Sequence, residues 1–173
     1  MVEHFDQIRT AAQKDAQIEE VVNFIDYLTQ NNKQNALYLL KKLFFAPETH
    51  PRVRYVLAGR LGKLAPYQLF QQLLSYFILH KFPDTVALIA ALRSFNRSDA
   101  LPALIDYYPQ ATYREQLEII DTLAQISAPE TVEFLSRIFN EQIQYQAEIP
   151  AEHQHELRQR ASSALSKKIM RFD

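Results

Sequence analysis

Apolar side chains recur every three or four residues along most of the chain. In the second predicted helix they fall on one face, at Ile18, Val21, Val22, Ile25 and Leu28. This spacing predicts amphipathic α-helices. Proline opens several later runs, where a missing backbone N–H costs a helix nothing. A Thr-x-x-Glu capping box, Thr112 to Glu115, precedes another run. We predict ten helices, over residues 3–13, 16–30, 34–45, 51–64, 66–79, 84–95, 99–108, 113–126, 130–141 and 152–171.

The apolar pattern repeats with an offset of 31 residues and no gap. Residues 86–108 align with 117–139, so that Leu92 meets Leu123, and residues 55–77 supply a third copy. A weaker fourth copy upstream needs two more residues of offset. Repeats of this period are typical of α-solenoids, in which helix pairs stack and share one continuous core. A generic helical bundle whose apolar positions coincide by chance is the alternative.

The amino-acid composition excludes several kinds of functional site. The 173 residues fit one domain. The chain has no cysteine, which excludes disulfides, thiolate metal sites and cysteine nucleophiles. Its two glycines cannot build a phosphate loop or a dinucleotide fingerprint. Its five histidines form no His-Glu-x-x-His pattern, so we expect no metal site. We see no signal peptide and no membrane span, and we expect a cytoplasmic protein.

Charge is unevenly distributed although the formal net charge is only -1. Residues 33–81 hold eight Lys and Arg residues against Glu48 alone, and residues 82–152 are rich in acids. Either the basic centre meets an anionic partner, or basic and acidic helices neutralise each other. We expect no nucleic-acid partner, because the chain lacks tryptophan and acids dominate the segment that follows the basic one. The pair Glu118 and Asp121 is expected to lie on a solvated polar face.

The segment 96–105, NRSDALPALI, resembles the linker and second-helix start of HEAT-type repeats of the phycobilin lyase class. Asp99, Leu101, Pro102 and Leu104 match that pattern, while Asn96 replaces the glycine common in its turn. The resemblance covers about residues 53–142. It implies an all-α fold, a right-handed α-solenoid superhelix of about four to five HEAT-like helix pairs.

The predicted domain organisation follows from the 31-residue repeat together with that resemblance. We expect one HEAT-like α-solenoid domain over residues 1–173, with an N-terminal cap at about 1–32. The repeats would occupy about 33–142 and a C-terminal capping helix about 152–171. Residues 143–151 lack a helical period, and we expect an exposed connection there.

Members of the E/F type in this lyase class work as heterodimers and deliver an open-chain tetrapyrrole to a phycobiliprotein α subunit. The resemblance therefore implies a bilin-binding subunit of phycobilisome assembly. It would act with a partner HEAT-repeat subunit or that α subunit, and phycocyanobilin or a related bilin would be transferred, not tightly bound. The isomerase motif of some members is not matched by 31–36, NNKQNA. No catalytic residue is assigned, and whether the chain is an enzyme stays open; a lyase subunit without isomerase chemistry is one alternative. A scaffold or adaptor with no small ligand is the alternative.

A bilin needs cations for its propionates and flat aromatic walls for its rings. We expect Arg52, Tyr55 and Lys63 to face outward from helix 51–64, and Arg54 and Arg60 to flank its buried stripe. The candidate ligand-binding residues are Arg52, Arg54, Tyr55, Arg60, Lys63, Tyr76, Tyr107 and Tyr108. The alternative for the tyrosines is packing between repeats, and for the arginines a solvated face with local ion pairs.

Overall fold

Helices account for most of the chain in this computed structural model, which describes residues 2–146 and 148–169 and, among them, the side chains of residues 6–168. The described residues contain ten α-helices and no strand, which confirms the all-α prediction. The helices are α1 Val2–Ala11, α2 Ile18–Asn31, α3 Lys33–Phe45, α4 Pro51–Leu64, α5 Tyr67–Ile78, α6 Thr85–Phe95, α7 Leu101–Tyr107, α8 Tyr113–Gln125, α9 Pro129–Phe139 and α10 Ala151–Ile169. Residues 170 and 171 of the last predicted helix lie outside the described residues.

Side chains fix where the helices begin and end. Asp84 accepts a 3.0 Å hydrogen bond from the N–H of Ala87 at the start of α6. The predicted capping box of α8 is confirmed, because Thr112 and Glu115 each accept a hydrogen bond from the other's backbone. Asn96 ends α6 in the left-handed conformation, at φ 50°. Asparagine tolerates that conformation better than most residues, which explains how α6 ends here without a glycine.

The even-numbered helices lie side by side in chain order. Helix α2 contacts α4, α4 contacts α6, α6 contacts α8, and α8 contacts α10. The odd-numbered helices pack against this row: α3 contacts α2 and α4, α5 contacts α6, and α9 contacts α8 and α10. Helices α7 and α9 also pack together. The row brings residues about one repeat apart in sequence into contact.

Five leucines that the 31-residue offset aligns are buried, whereas Phe139, which it aligns with the buried Tyr108, is 41% exposed. Leu61, Leu92 and Leu123 are each fully buried on α4, α6 and α8. Leu104 and Leu135 are fully buried at the matching position of α7 and α9. These residues belong to one continuous apolar core. The alignment therefore identified equivalent core positions at each of these five residues.

The connection between α9 and α10 is non-helical, as predicted, but it is not exposed throughout. Ile143 is buried, and the backbone N–H of Gln146 donates a 3.0 Å hydrogen bond to the carbonyl of Pro109. An apolar side chain without helical neighbours can still be buried when its backbone is tied to another loop. The expectation of an exposed segment is therefore wrong at Ile143.

Candidate functional site

Ion pairs link successive even-numbered helices. Arg60 of α4 donates two hydrogen bonds to the carboxylate of Asp26 on α2, at 2.9 and 3.0 Å. The Arg60 hydrogen bond lowers the pKa of Asp26 below its usual value. At the other end of the row, Arg160 of α10 binds Asp121 of α8 through two hydrogen bonds of 2.8 and 2.7 Å. The acidic and basic segments of the sequence thus neutralise each other here.

Glu118 lies at the centre of this network. Its carboxylate is 2.8 Å from Arg93 Nη1 and accepts a 2.9 Å hydrogen bond from the Tyr55 hydroxyl. Arg93 also donates to that hydroxyl at 3.2 Å. Burial raises the pKa of Glu118, although the Arg93 charge opposes the shift. The expectation that Glu118 is solvated is wrong, because this glutamate closes a contact among α4, α6 and α8.

Arg54 is buried and holds the end of α3. Its guanidinium donates hydrogen bonds to the carbonyls of Phe44 and Ala46 at 3.1 and 2.8 Å, and lies 3.3 Å from the Asp84 carboxylate. The last carbonyls of a helix have no partner within it, so this arginine satisfies groups that α3 leaves free. The expectation that Arg54 flanks the stripe within reach of a ligand is therefore wrong.

The predicted basic residues of α4 do not form one patch. Arg52 is exposed, as expected, and pairs with Asp15 at 2.5 Å. Arg60 and the exposed Lys63 line a groove of about 470 Å³ between α2 and α4, together with Asp26. Because the Asp26 carboxylate is already paired with the Arg60 guanidinium, the groove offers no preformed pair of cations for two propionates. Tyr55 is half-buried against Glu118 and does not face outward.

The three other predicted tyrosines differ in accessibility. Tyr76 is half-buried beside Phe45, with ring centroids 5.9 Å apart. Tyr107 lines a groove of about 340 Å³ between α5 and α7. Burial raises its pKa to about 12, and its hydroxyl donates a 3.1 Å hydrogen bond to Glu115. Tyr108 is fully buried, so its predicted role in ligand binding is wrong and the packing alternative describes it correctly.

Exposed large apolar side chains gather on the odd-numbered helices. Among the described residues, one of them lies on α2 and the others lie on α3, α5 and α9 or directly after α5. These side chains are Tyr27, Tyr38, Tyr67, Ile78, Leu79 and Phe139. We refer to the last five side chains, taken together, as the odd-helix face.

Helix α3 carries two apolar stripes. Its buried stripe contains Ala36, Leu39, Leu40, Leu43 and Phe44. A second stripe on its outer side lines a groove of about 550 Å³, which we name the α3 groove; its residues are Gln34, Leu37, Tyr38, Lys41, Lys42 and Phe45.

Tyr38 is the most exposed aromatic residue of the α3 groove, at 58% exposure. The ammonium group of Lys42 lies 5.7 Å from the centre of its ring. The sequence analysis did not identify Tyr38 or Phe45 as candidate binding residues. The signal was available: Tyr38 and Phe45 are seven residues apart, which is two turns of helix, and they share the side of α3 that carries Lys41 and Lys42.

Comparisons with known proteins identify no relative: no family model, no curated protein and no solved structure matches the chain. The resemblance to phycobilin lyases thus stays a prediction. Over the described ranges, no helix is long and apolar enough to cross a membrane. Nor do three His, Asp or Glu side chains in those ranges come close enough to hold a metal ion.

Proposed function

We propose that this chain is a HEAT-like α-solenoid scaffold that binds a partner protein through its odd-helix face. The observation that carries the proposal is the concentration of exposed apolar side chains on that face. Exposed apolar surface with a polar rim is typical of protein interaction sites. The 31-residue repeat and the contacts between alternate helices support the solenoid arrangement.

The charges of the two layers support the same choice of face. On the even-numbered helices, Arg60, Arg93 and Arg160 are each paired with a carboxylate of a neighbouring helix. These three arginines are therefore neutralised within the row. The exposed lysines of α3, by contrast, form no ion pair with any described residue. The odd-helix face therefore keeps both apolar area and charge for a partner.

Site-specific photocrosslinking tests this function. A photoreactive amino acid replaces Tyr38 or Ile78 on the odd-helix face, and Tyr27 on α2 serves as the control because its exposure, 59%, is nearly equal. In cells that make the protein, irradiation should give one discrete adduct, containing the same partner, at Tyr38 and Ile78 but not at Tyr27. Equal adducts at all three positions, or none at the first two, would contradict the proposal.

A bilin-binding role is a second proposal. It is favoured by the aromatic wall of the groove between α5 and α7, where the Tyr107 ring lies 5.2 Å from Phe77 and 5.5 Å from His80. Phycocyanobilin held there should show a red-shifted and sharper visible spectrum, and Tyr107→Leu should reduce the change. An unchanged spectrum on mixing would count against bilin binding and leave the scaffold function in place.

A further inference from the structure

We propose that the α3 groove binds an acidic amphipathic helix of the partner protein. The inference rests on the proposed scaffold function and specifies the chemistry of its partner. The partner's apolar side chains would pack on Leu37, Tyr38 and Phe45, and its carboxylates would pair with Lys41 and Lys42.

The spacing of the groove residues favours a helix as the occupant. Leu37, Tyr38, Lys41 and Phe45 follow each other at steps of one, three and four residues, so they form one stripe along α3. From Gln34 to Phe45 the stripe spans about 16 Å, or three turns. A second helix that lies along such a stripe can insert its own side chains at the same spacing. In an extended peptide only every second side chain would face this stripe, and their spacing would not follow the turns of α3.

The charges around the groove favour an acidic occupant. Lys41 and Lys42 are exposed and pair with no carboxylate in the part of the chain that the structure describes. Arg54 and Arg60 of the same basic segment are already bound to Asp84 and Asp26. Lys41 and Lys42 therefore stay available to a partner, and they lie beside apolar side chains. Carboxylates that flank the apolar stripe of a partner helix complement this arrangement.

A protein helix fits the groove better than an anionic membrane. Lipid-binding polybasic surfaces usually carry about four to eight Lys and Arg residues. The α3 groove carries two. Its apolar residues also form a narrow stripe that continues to Tyr76 of α5 through the contact with Phe45. A narrow stripe can align a single helix, whereas a membrane surface selects a broad apolar face.

The test uses a fluorescein-labelled synthetic helix of about 16 residues, with leucines at helical spacing and glutamates on both flanks. Fluorescence anisotropy should show micromolar binding that weakens as salt rises from about 50 to about 300 mM. The double reversal Lys41→Glu and Lys42→Glu should weaken binding about tenfold and remove most of the salt dependence. Tyr38→Ala should weaken binding without changing that dependence.

A matched control reverses two exposed lysines elsewhere, Lys14→Glu and Lys63→Glu, and should leave the affinity within about twofold because these residues lie outside the groove. Circular dichroism checks that every variant keeps its helices. No binding of the acidic peptide, equal binding of a peptide with lysines on its flanks, or stronger binding to vesicles of anionic phospholipid would each overturn the inference. A discrete adduct at Ile78 without peptide binding would overturn it while leaving the scaffold function intact.

Discussion

The backbone of Gly62 on α4 lies directly against Ser94 on α6. The Gly62 N–H donates a 2.8 Å hydrogen bond to Ser94 Oγ, which in turn donates to the Ala91 carbonyl at 2.7 Å. A Cβ atom at position 62 would lie 1.9 Å from the Ser94 carbonyl oxygen. Because that oxygen belongs to the backbone, it cannot rotate away, and the two helices can approach this closely only with glycine at position 62.

This contact predicts opposite outcomes for the two glycines of α4. Gly62→Ala should cost about 1–3 kcal/mol or more, because the added methyl group forces α4 and α6 apart. Gly59 is exposed and has no heavy atom within 4 Å of the position of an added Cβ. Gly59→Ala should therefore raise stability by roughly 0.5–1 kcal/mol through helix propensity. Chemical denaturation measures both; a neutral Gly62→Ala would show that the helices are not in contact there.

Substitution by alanine should lower stability much more at Arg54 than at Arg52. Arg54→Ala removes the donors for two carbonyls and the cationic partner of Asp84, so we expect a loss of ~3–5 kcal/mol in stability. Arg52→Ala removes only an exposed pair with Asp15 and should cost about 0–1 kcal/mol. Urea titrations of both variants give the comparison. If Arg54→Ala proved as mild as Arg52→Ala, the guanidinium would not hold the end of α3.

Truncating equivalent leucines of the repeat should lower stability by similar amounts. Leu92→Ala and Leu123→Ala each open a cavity in the core and should each lose roughly 2–5 kcal/mol. Leu79 is 54% exposed, and Leu79→Ala should change stability by less than about 0.5 kcal/mol. Thermal and urea unfolding provide the measurement. A Leu92 variant that melts with the parent protein would contradict the repeat alignment at this position.

Glu118 should make stability depend on pH. Its pKa in the folded protein lies above the ordinary value of 4.5, mainly because of burial. The folded state therefore holds this proton more tightly than the unfolded state, and the resulting stability is lost as pH rises above the ordinary value. Glu118→Gln cannot titrate. The melting temperature of the parent, minus that of Glu118→Gln, should fall as pH rises from about 4 to about 7; a difference that rises instead would contradict the shift.

The helices and the core could be predicted from the sequence because their signals are local and periodic. The spacing of apolar residues identified the ten helices of the described residues, and Thr112 with Glu115 marked the start of α8. The positions of Leu92 and Leu123 followed from the 31-residue offset alone. These features depend on residues within one or two turns of helix, or on a repeat of the same pattern.

The candidate site could be predicted only in part, because charged side chains take their roles from distant neighbours. Arg54 lies on the buried side of α4, but its acceptors are the last carbonyls of α3 and the carboxylate of Asp84. The sequence pattern predicts that Glu118 lies on the surface, because its partners Arg93 and Tyr55 come from two other helices. Lys41 and Lys42 have the same charge as Arg60, and only the fold shows which cations are already paired.

We expect the central position of α6 to make it the last helix to unfold. This helix buries side chains around most of its circumference, from Ala87 to Leu92, and has an even-numbered neighbour on each side. A row with such short-range connectivity can fray from either end while its middle persists. Amide hydrogens of α6 should therefore exchange with deuterium more slowly than those of α2 and α10. A ligand on α3 should slow amide exchange in the neighbouring α2 and α4 more than in α10.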